Sequence, residues 1–275
     1  MVILDRVMRR NVSAMFRRIR GMAGRDHDER IKLLPRIGSI ATIPSRAESF
    51  AEVLPRLLSQ VDRLFVYLDG FAATPLSAAE DESKLVVFRA EECGNLHASS
   101  RLLPPTFLDM QSIFVLFDDD ILYPADYVER LVEGLSARGG QAIVGFHANC
   151  FRPPYQSYVR DRICLNFKKY LEIDTEVDEL GSGTCAFLSD VFSVDPRKFS
   201  HVNKDDIILA IEAERRGLPR IALRRRAGWL ARHPKPQITS LWAETEKNDS
   251  VETHLLAQLL RLRSASRRKR SWASV

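Results

Sequence analysis

Ile113-Phe114-Val115-Leu116-Phe117-Asp118-Asp119-Asp120 decides the reading of this chain. Five successive apolar residues predict a buried strand, and that strand runs straight into three carboxylates. Adjacent carboxylates repel one another unless a cation lies among them. Hard ions such as Mg²⁺ and Mn²⁺ take oxygen ligands and usually share them with substrate phosphates. In extended backbone, residues i and i+2 point the same way, so Asp118 and Asp120 are placed to share one site. The competing explanation is a solvated acidic turn before a helix, where the helix dipole favours acids. A strand ending in three aspartates within an alternating strand–helix pattern favours the cation.

That pattern extends on both sides. Upstream, Ile37-Gly38-Ser39-Ile40-Ala41-Thr42-Ile43 predicts a buried strand. Ser45 with Glu48 reads as a capping box opening a helix to about Ser59, which Pro55 should kink or split. Leu64–Leu68 and Leu85–Phe88 predict two further strands, and about 97–109 a helix. Downstream, Pro124 is expected in the first turn of a helix reaching about Ala137, followed by a strand over Ala142–Phe146. The order predicts an α/β domain with a mostly parallel sheet, and in such sheets ligands bind beyond the carboxyl ends of the strands. Residues 151–180 mix aromatics, prolines and charges and read as a long surface excursion. Asp205–Arg216 predicts a helix and Ile221-Ala222-Leu223 a short strand. A last helix is expected from about Ser250, with Val251, Leu255, Leu259 and Leu262 on one side, dissolving into Arg267-Arg268-Lys269-Arg270.

Three weaker signals accompany the triple aspartate. Asp205-Asp206 opens a helix; a carboxylate there either caps the helix or serves as a general base on an incoming hydroxyl. Gly181-Ser182-Gly183-Thr184 is either a tight turn or a place where backbone approaches a ligand closely. His233, in Trp229-Leu230-Ala231-Arg232-His233, is a candidate metal ligand or diphosphate contact, or simply a surface or capping residue, and His147 is open to the same two readings.

The charge distribution narrows the class. The 275 residues hold 41 Lys and Arg against 36 Asp and Glu, a net charge of +5. Residues 1–36 and 256–275 each carry a net charge of +6, which leaves −7 for the body between them. An acidic body with two basic ends argues against a nucleic-acid binder, which would spread Lys and Arg over its folded face. No apolar run is long enough to cross a bilayer, and the opening residues lack the apolar core of a signal peptide. The cysteines Cys93, Cys150, Cys164 and Cys185 show no zinc spacing and read as buried, reduced thiols, which predicts a cytosolic setting. Residues 1–24 have the spacing of an amphipathic helix rich in arginine, and 25–35 reads as a charged linker. An Arg-rich amphipathic helix can lie on an anionic membrane surface, or can pack on its own domain.

Taken together, Ala41-Thr42-Ile43-Pro44-Ser45-Arg46, Val66-Tyr67-Leu68-Asp69-Gly70, Gly94-Asn95-Leu96 with Arg101, Phe117-Asp118-Asp119-Asp120-Ile121-Leu122-Tyr123-Pro124, Gly181–Thr184, Asp205-Asp206 and Arg232-His233 resemble, in order, the motifs of bacterial GT-A glycosyltransferases of the family-2 type, particularly those of capsule and surface-polysaccharide assembly. The resemblance spans about 36–235. It implies a GT-A domain there, flanked by a basic amphipathic extension (1–35) and by a C-terminal helix with a basic tail (236–275). It implies an inverting transfer of sugar from a nucleoside diphosphate sugar, with a UDP-sugar favoured, to a glycan or lipid-linked acceptor, with Mn²⁺ or Mg²⁺ as cofactor. It places the enzyme in the cytoplasm, with attachment to the inner membrane face as an option, and expects no nucleic acid. By the same resemblance Thr42, Pro44 and Arg46 line the nucleotide pocket, Asp69 bonds the base, and Arg101 sits near the base or diphosphate. Asp118 reaches ribose or metal, Asp119 lies with the nucleotide sugar, and Asp120 holds the metal with His233 nearby. Gly181, Gly183 and Thr184 face the acceptor. Asp206 is the implied base, but the motif's Glu-Asp is Asp205-Asp206 here, so the choice between the two stays open. Two other classes compete: a metal-dependent nucleotidyltransferase or phosphohydrolase, and a non-catalytic module on the same fold. The first often carries a Gly-rich loop after its opening strand, where this chain has Thr42-Ile43-Pro44-Ser45-Arg46.

Overall fold

The computed structural model describes residues 27–75, 83–234 and 240–272; the helix expected over 1–24 lies outside them. Along the chain run α1 (His27–Lys32), β1 (Arg36–Thr42), α2 (Ala47–Leu58), β2 (Arg63–Leu68), β3 (Leu85–Arg89), α3 (Ala90–Cys93), β4 (Ile113–Phe117), β5 (Ile121–Leu122) and α4 (Tyr127–Ser136). Then follow β6 (Ile143–Gly145), β7 (Ala148–Phe151), β8 (Arg162–Leu165), β9 (Thr175–Glu176), β10 (Glu179–Leu180), β11 (Cys185–Leu188), α5 (Asp205–Arg215), β12 (Arg220–Ala222), β13 (Ala231–Arg232), α6 (Leu241–Lys247) and α7 (Ser250–Trp272).

The main sheet has eight strands in the order β3-β2-β1-β4-β11-β6-β12-β9. The β1–β4 block is parallel throughout. β11 then enters antiparallel between β4 and β6. The result is a Rossmann-like α/β fold with a mixed, largely parallel sheet. β4 shows why the sheet is buried on both faces. Its side chains alternate, with Ile113, Val115 and Phe117 in the core shared with α2 and α4, and Phe114 and Leu116 in the core on the other face, where Leu209 and Ala213 of α5 pack. A third cluster, Ile207, Ile208 and Ile211 of α5 against Leu255, Leu256 and Leu259 of α7, fixes the last helix to the domain.

Several local expectations change. Ser45 caps nothing: Pro44–Arg46 forms a 3₁₀ turn, and α2 starts after it with Arg46 at the N-cap position and no side-chain cap. Pro55 does not split α2. Pro55 and Ala51, whose carbonyl loses its partner, both lie on the exposed face, where water can replace the missing bond. The helix expected over 97–109 is instead two 3₁₀ turns, His97–Leu102 and Pro104–Thr106, because Pro104 and Pro105 supply no N–H donors. Residues 27–34 are not a bare linker, since Ile31 and Leu34 are buried in the α2–α4 core and the Ser136 hydroxyl donates to the Asp28 carbonyl. Nor is 151–180 only an excursion: β7, β8 and β10 form a separate three-stranded antiparallel sheet. The basic run does not end the last helix, which continues to Trp272. Of the cysteines only Cys185 is buried; all four are free thiols. Among the described residues no helix is long and apolar enough to cross a membrane.

Gly38 shows how closely β1 is packed. A Cβ there would lie 2.7 Å from Phe117 Cε2 and 2.9 Å from Leu64 Cδ1, both in the core. Gly38→Ala is expected to lower stability by ~1–3 kcal/mol through overpacking. Urea denaturation with an unchanged m-value and a lower midpoint would agree; a wild-type midpoint would not.

Candidate active site

The carboxyl ends of β1, β2 and β4 meet at one edge of the sheet, and antiparallel β11 begins there. Its register pairs Ala186 with Val115 and Leu188 with Ile113, so continuing the ladder sets Gly183 opposite Asp118. A Cβ at Gly183 would lie 1.9 Å from Asp118 Oδ2. The glycine is needed for the carboxylate to stand where it does. Tyr123 locks the same junction. Its buried hydroxyl accepts from the Asp118 N–H at 2.7 Å and donates to the Gly183 carbonyl at 2.7 Å. Burial pushes the Tyr123 pKa well above its ordinary value, so the phenol keeps the proton that the second bond needs.

Arg101 stands at the centre, only 8% exposed. Its Nη1 donates to Asp118 and to the Phe117 carbonyl, the latter at 3.2 Å. Its Nε and Nη2 donate to Asp205 Oδ2, both at 3.3 Å, and Nη2 donates to Ser182 Oγ at 2.7 Å. Burial works against its charge, but Asp118, Asp205 and Asp206 outweigh it and raise its pKa. One guanidinium thus ties the end of β4, the Gly181–Thr184 turn and the start of α5 to the His97–Leu102 turn that carries it.

The acidic residues around it have different partners. Asp205 is 4% exposed; Ser99 Oγ donates to its Oδ1 at 2.5 Å, and Arg101 takes its Oδ2. Asp205 and Asp206 both line the cleft, but Asp206 has other partners: its Oδ1 accepts from both the N–H (2.8 Å) and the hydroxyl (2.5 Å) of Ser182. Asp119 is buried and accepts from Arg46 Nη1 at 2.8 Å, a bridge across the crevice between β1 and β4. Burial raises the Asp119 pKa, opposed by Arg46. Asp120 is pushed up to about 6, first by burial and then by Asp118, against the pull of Arg232 and Arg46. Arg232 Nε lies 3.6 Å from its Oδ2. The Asp118 side chain keeps 37% of its surface exposed.

These groups surround a cleft of about 380 Å³ lined by Arg46, Arg101, Asp118, Asp119, Asp120, Asp206 and others. Gly181, Gly183 and Thr184 also line it, though the Thr184 hydroxyl is spent on the His147 N–H (2.9 Å) and the Gly181 carbonyl (3.2 Å). Thr42, Pro44, Asp69 and His233 do not line it. The Asp69 carboxylate sits 2.8 Å from His97 Nδ1. The His233 N–H donates to the Asp120 carbonyl at 2.7 Å through the β5–β13 ribbon, but its ring Nε2 lies 3.0 Å from Glu52 of α2. It is the neighbouring Arg232 that faces Asp120. Among the described residues no group of three or more His, Cys, Asp or Glu side chains is arranged to hold a metal ion. A cation here would have Asp118 and Asp120 as its protein ligands, the arrangement that suits an ion shared with substrate phosphates.

The sequence reading assigned no role to Ser99, Tyr123 or Ser182. Tyr123 and Ser182 lie inside strings already singled out, so proximity in sequence was a usable signal. Ser99 offered none, because its partner Asp205 is more than a hundred residues away. Deeper in the wall lies Glu179, fully buried, whose Oε1 accepts from Asn149 Nδ2 (2.6 Å) and the Tyr158 hydroxyl (2.7 Å). His147, whose Nε2 lies 3.8 Å from Cys164 Sγ, is pushed down to about 4 by burial and stays neutral at pH 7.

Comparison with protein-family models and with curated proteins finds no match for the chain.

Burial, aided by the charge of Asp206, pushes Glu179 up from its ordinary 4.5 to about 8. With the folded value above the unfolded one, the folded state holds the extra proton between these limits. This group therefore favours folding most at low pH, and stability falls as pH rises from 4.5 to 8, by up to about 1.4 kcal/mol per pH unit. Glu179→Gln removes that slope. Urea midpoints between pH 5 and pH 8.5 should converge in the variant relative to the parent; identical pH profiles would contradict the assignment.

Proposed function

We propose that the chain is a GT-A-type, inverting glycosyltransferase that moves a sugar from a nucleoside diphosphate sugar to an acceptor hydroxyl. The observation that carries this reading is the division of the carboxylates around one cleft. Asp118 and Asp120 stand at the carboxyl edge of β4 beside Arg46 and Arg232, and Asp206 lines the same cleft on an independent element, α5. A diphosphate needs positive charge as its bond to the sugar breaks, and an acceptor hydroxyl needs a base.

Asp206 is the better base. Both oxygens of Asp205 are engaged, by Ser99 and by Arg101, whereas the two bonds to Asp206 fall on Oδ1 alone. Those two Ser182 donors hold the carboxylate in place. The acceptor oxygen attacks the anomeric carbon, its proton passes to Asp206, and the bond to the diphosphate breaks with the electron pair leaving on the diphosphate oxygen. Attack from the face opposite the leaving group inverts the anomeric centre. A divalent cation held by Asp118 and Asp120 would supply Lewis-acid neutralisation of that oxygen. Arg232, 54% exposed in its side chain, is the cation of the chain best placed to meet the diphosphate there. Asp119 has a different task, since its bridge to Arg46 holds the crevice between β1 and β4 at a fixed width.

Asp206→Asn keeps the shape and the Ser182 contacts but removes the base. A screen of nucleotide sugars with Mn²⁺ or Mg²⁺ should find a donor that the parent chain turns over. In Asp206→Asn that turnover should fall by ~10²–10⁴ with an unaltered thermal midpoint. Full activity in the variant would overturn the assignment.

A further inference from the structure

Past Asp206 the cleft runs on between the β7–β8 hairpin and α6, along a wall that includes Arg162, Lys168 and Trp242. Arg162, which opens β8, lays its guanidinium over the Trp242 indole with Cζ 3.6 Å from the ring centroid. Trp242 belongs to α6, which is itself anchored: Thr245 Oγ1 donates to the buried Glu252 at 2.6 Å, and Glu252 also pairs with Lys204 Nζ at 2.5 Å. The indole is therefore a fixed platform and the guanidinium above it is held in one plane.

The cations of the cleft differ in what they already bind. Arg46 is bonded to Asp119, Arg101 to Asp118 and Asp205, and Lys204 to Glu252. Arg232 lies against Asp120. Among the described residues no carboxylate pairs with Arg162 or Lys168, and no acceptor takes a side-chain N–H of Arg162. Stacking leaves the in-plane donors of a guanidinium open, and their fork matches a carboxylate or phosphate with two parallel bonds. We propose that Arg162, on its Trp242 platform and with Lys168 lining the same cleft, forms the acceptor subsite for a sugar that carries an anionic oxyacid group. The acceptor role rests on Asp206 being the base, since the hydroxyl to be deprotonated must lie at Asp206 while the remainder of the acceptor extends along this wall. The anion-binding role rests on Arg162 and Trp242 alone.

The test uses the full chain and three probes by titration calorimetry: methyl glucuronide, glucose 6-phosphate and methyl glucoside. At least one anionic probe should bind about tenfold or more tighter than the neutral glucoside. Arg162→Gln should abolish that preference, and Arg162→Lys, which keeps the charge but loses the fork, should retain part of it. Thermal midpoints of both variants check folding, and Trp242→Leu, which removes the platform beneath the guanidinium, should weaken the anion preference and gives a second reading if either Arg162 variant is unstable. Whichever anionic probe binds separates carboxylate from phosphate. Equal binding of all three probes, binding of neither anion, or a preference that survives Arg162→Gln overturns the proposal. The nucleotide-sugar screen runs in parallel. An Arg162-dependent anion preference without turnover of any donor upholds the anion site and removes the transferase reading. Turnover with no anion preference does the reverse.

Discussion

The buried guanidinium of Arg101 is the contact on which the site depends. Removing one partner of a buried ion pair typically costs ~3–5 kcal/mol, because the remaining charge is left uncompensated. Here a single cation compensates Asp118 and Asp205 and also donates to Ser182 and the Phe117 carbonyl. Four segments that are distant in sequence therefore converge at one point: the His97–Leu102 turn, the end of β4, the Gly181–Thr184 turn and the start of α5. Without that charge the neighbouring carboxylates would repel one another, Asp205 from a buried position. With it, they are held around one cleft.

This compensation also divides the acids by task. Asp205 and Asp119 are satisfied by arginines and act as internal struts. Asp118, Asp120 and Asp206 line the same cleft as these two but are less fully engaged, Asp206 through one oxygen and Asp120 by Arg232 at 3.6 Å. Asp205 and Asp206 are chemically identical neighbours, but successive residues on a helix are rotated by about 100°. One therefore points at Arg101 and Ser99 and the other at Ser182 and the cleft. The Gly181–Thr184 turn completes the arrangement from the opposite side. Gly183 makes room for Asp118, while Ser182 receives Arg101 and donates to Asp206.

Most of the sheet was legible in the sequence. β1, β2 and β4 are runs of apolar residues with sharp polar ends, and the aspartates at the end of β4 marked the edge where the cleft lies. β11 was not legible as a central strand. Cys185-Ala186-Phe187-Leu188 is short, and its antiparallel place between β4 and β6 depends on partners some forty to seventy residues upstream. The Pro55 helix and the Pro104-Pro105 turns show the same proline effect with different outcomes: in α2 the lost bond faces water and the helix persists, whereas two successive prolines without N–H donors leave short 3₁₀ turns. The choice between Asp205 and Asp206 required the direction of α5, and the Arg162–Trp242 pair spans the β8–α6 separation with no local pattern to reveal it. His233 was singled out by residue type, yet its ring meets Glu52, and Arg232 is the neighbour that reaches Asp120.

Central to the proposed chemistry is that Asp118 and Asp120 bind a nucleoside diphosphate through a shared divalent cation. Calorimetric titration of UDP into the full chain, with Mn²⁺ and then with EDTA, tests this directly. Binding in Mn²⁺ that is lost in EDTA, and that weakens by about tenfold or more in Asp120→Ala, a loss of ~1.4 kcal/mol, is the expected result. UDP binding that is indifferent to metal, or no binding in either condition, would contradict it.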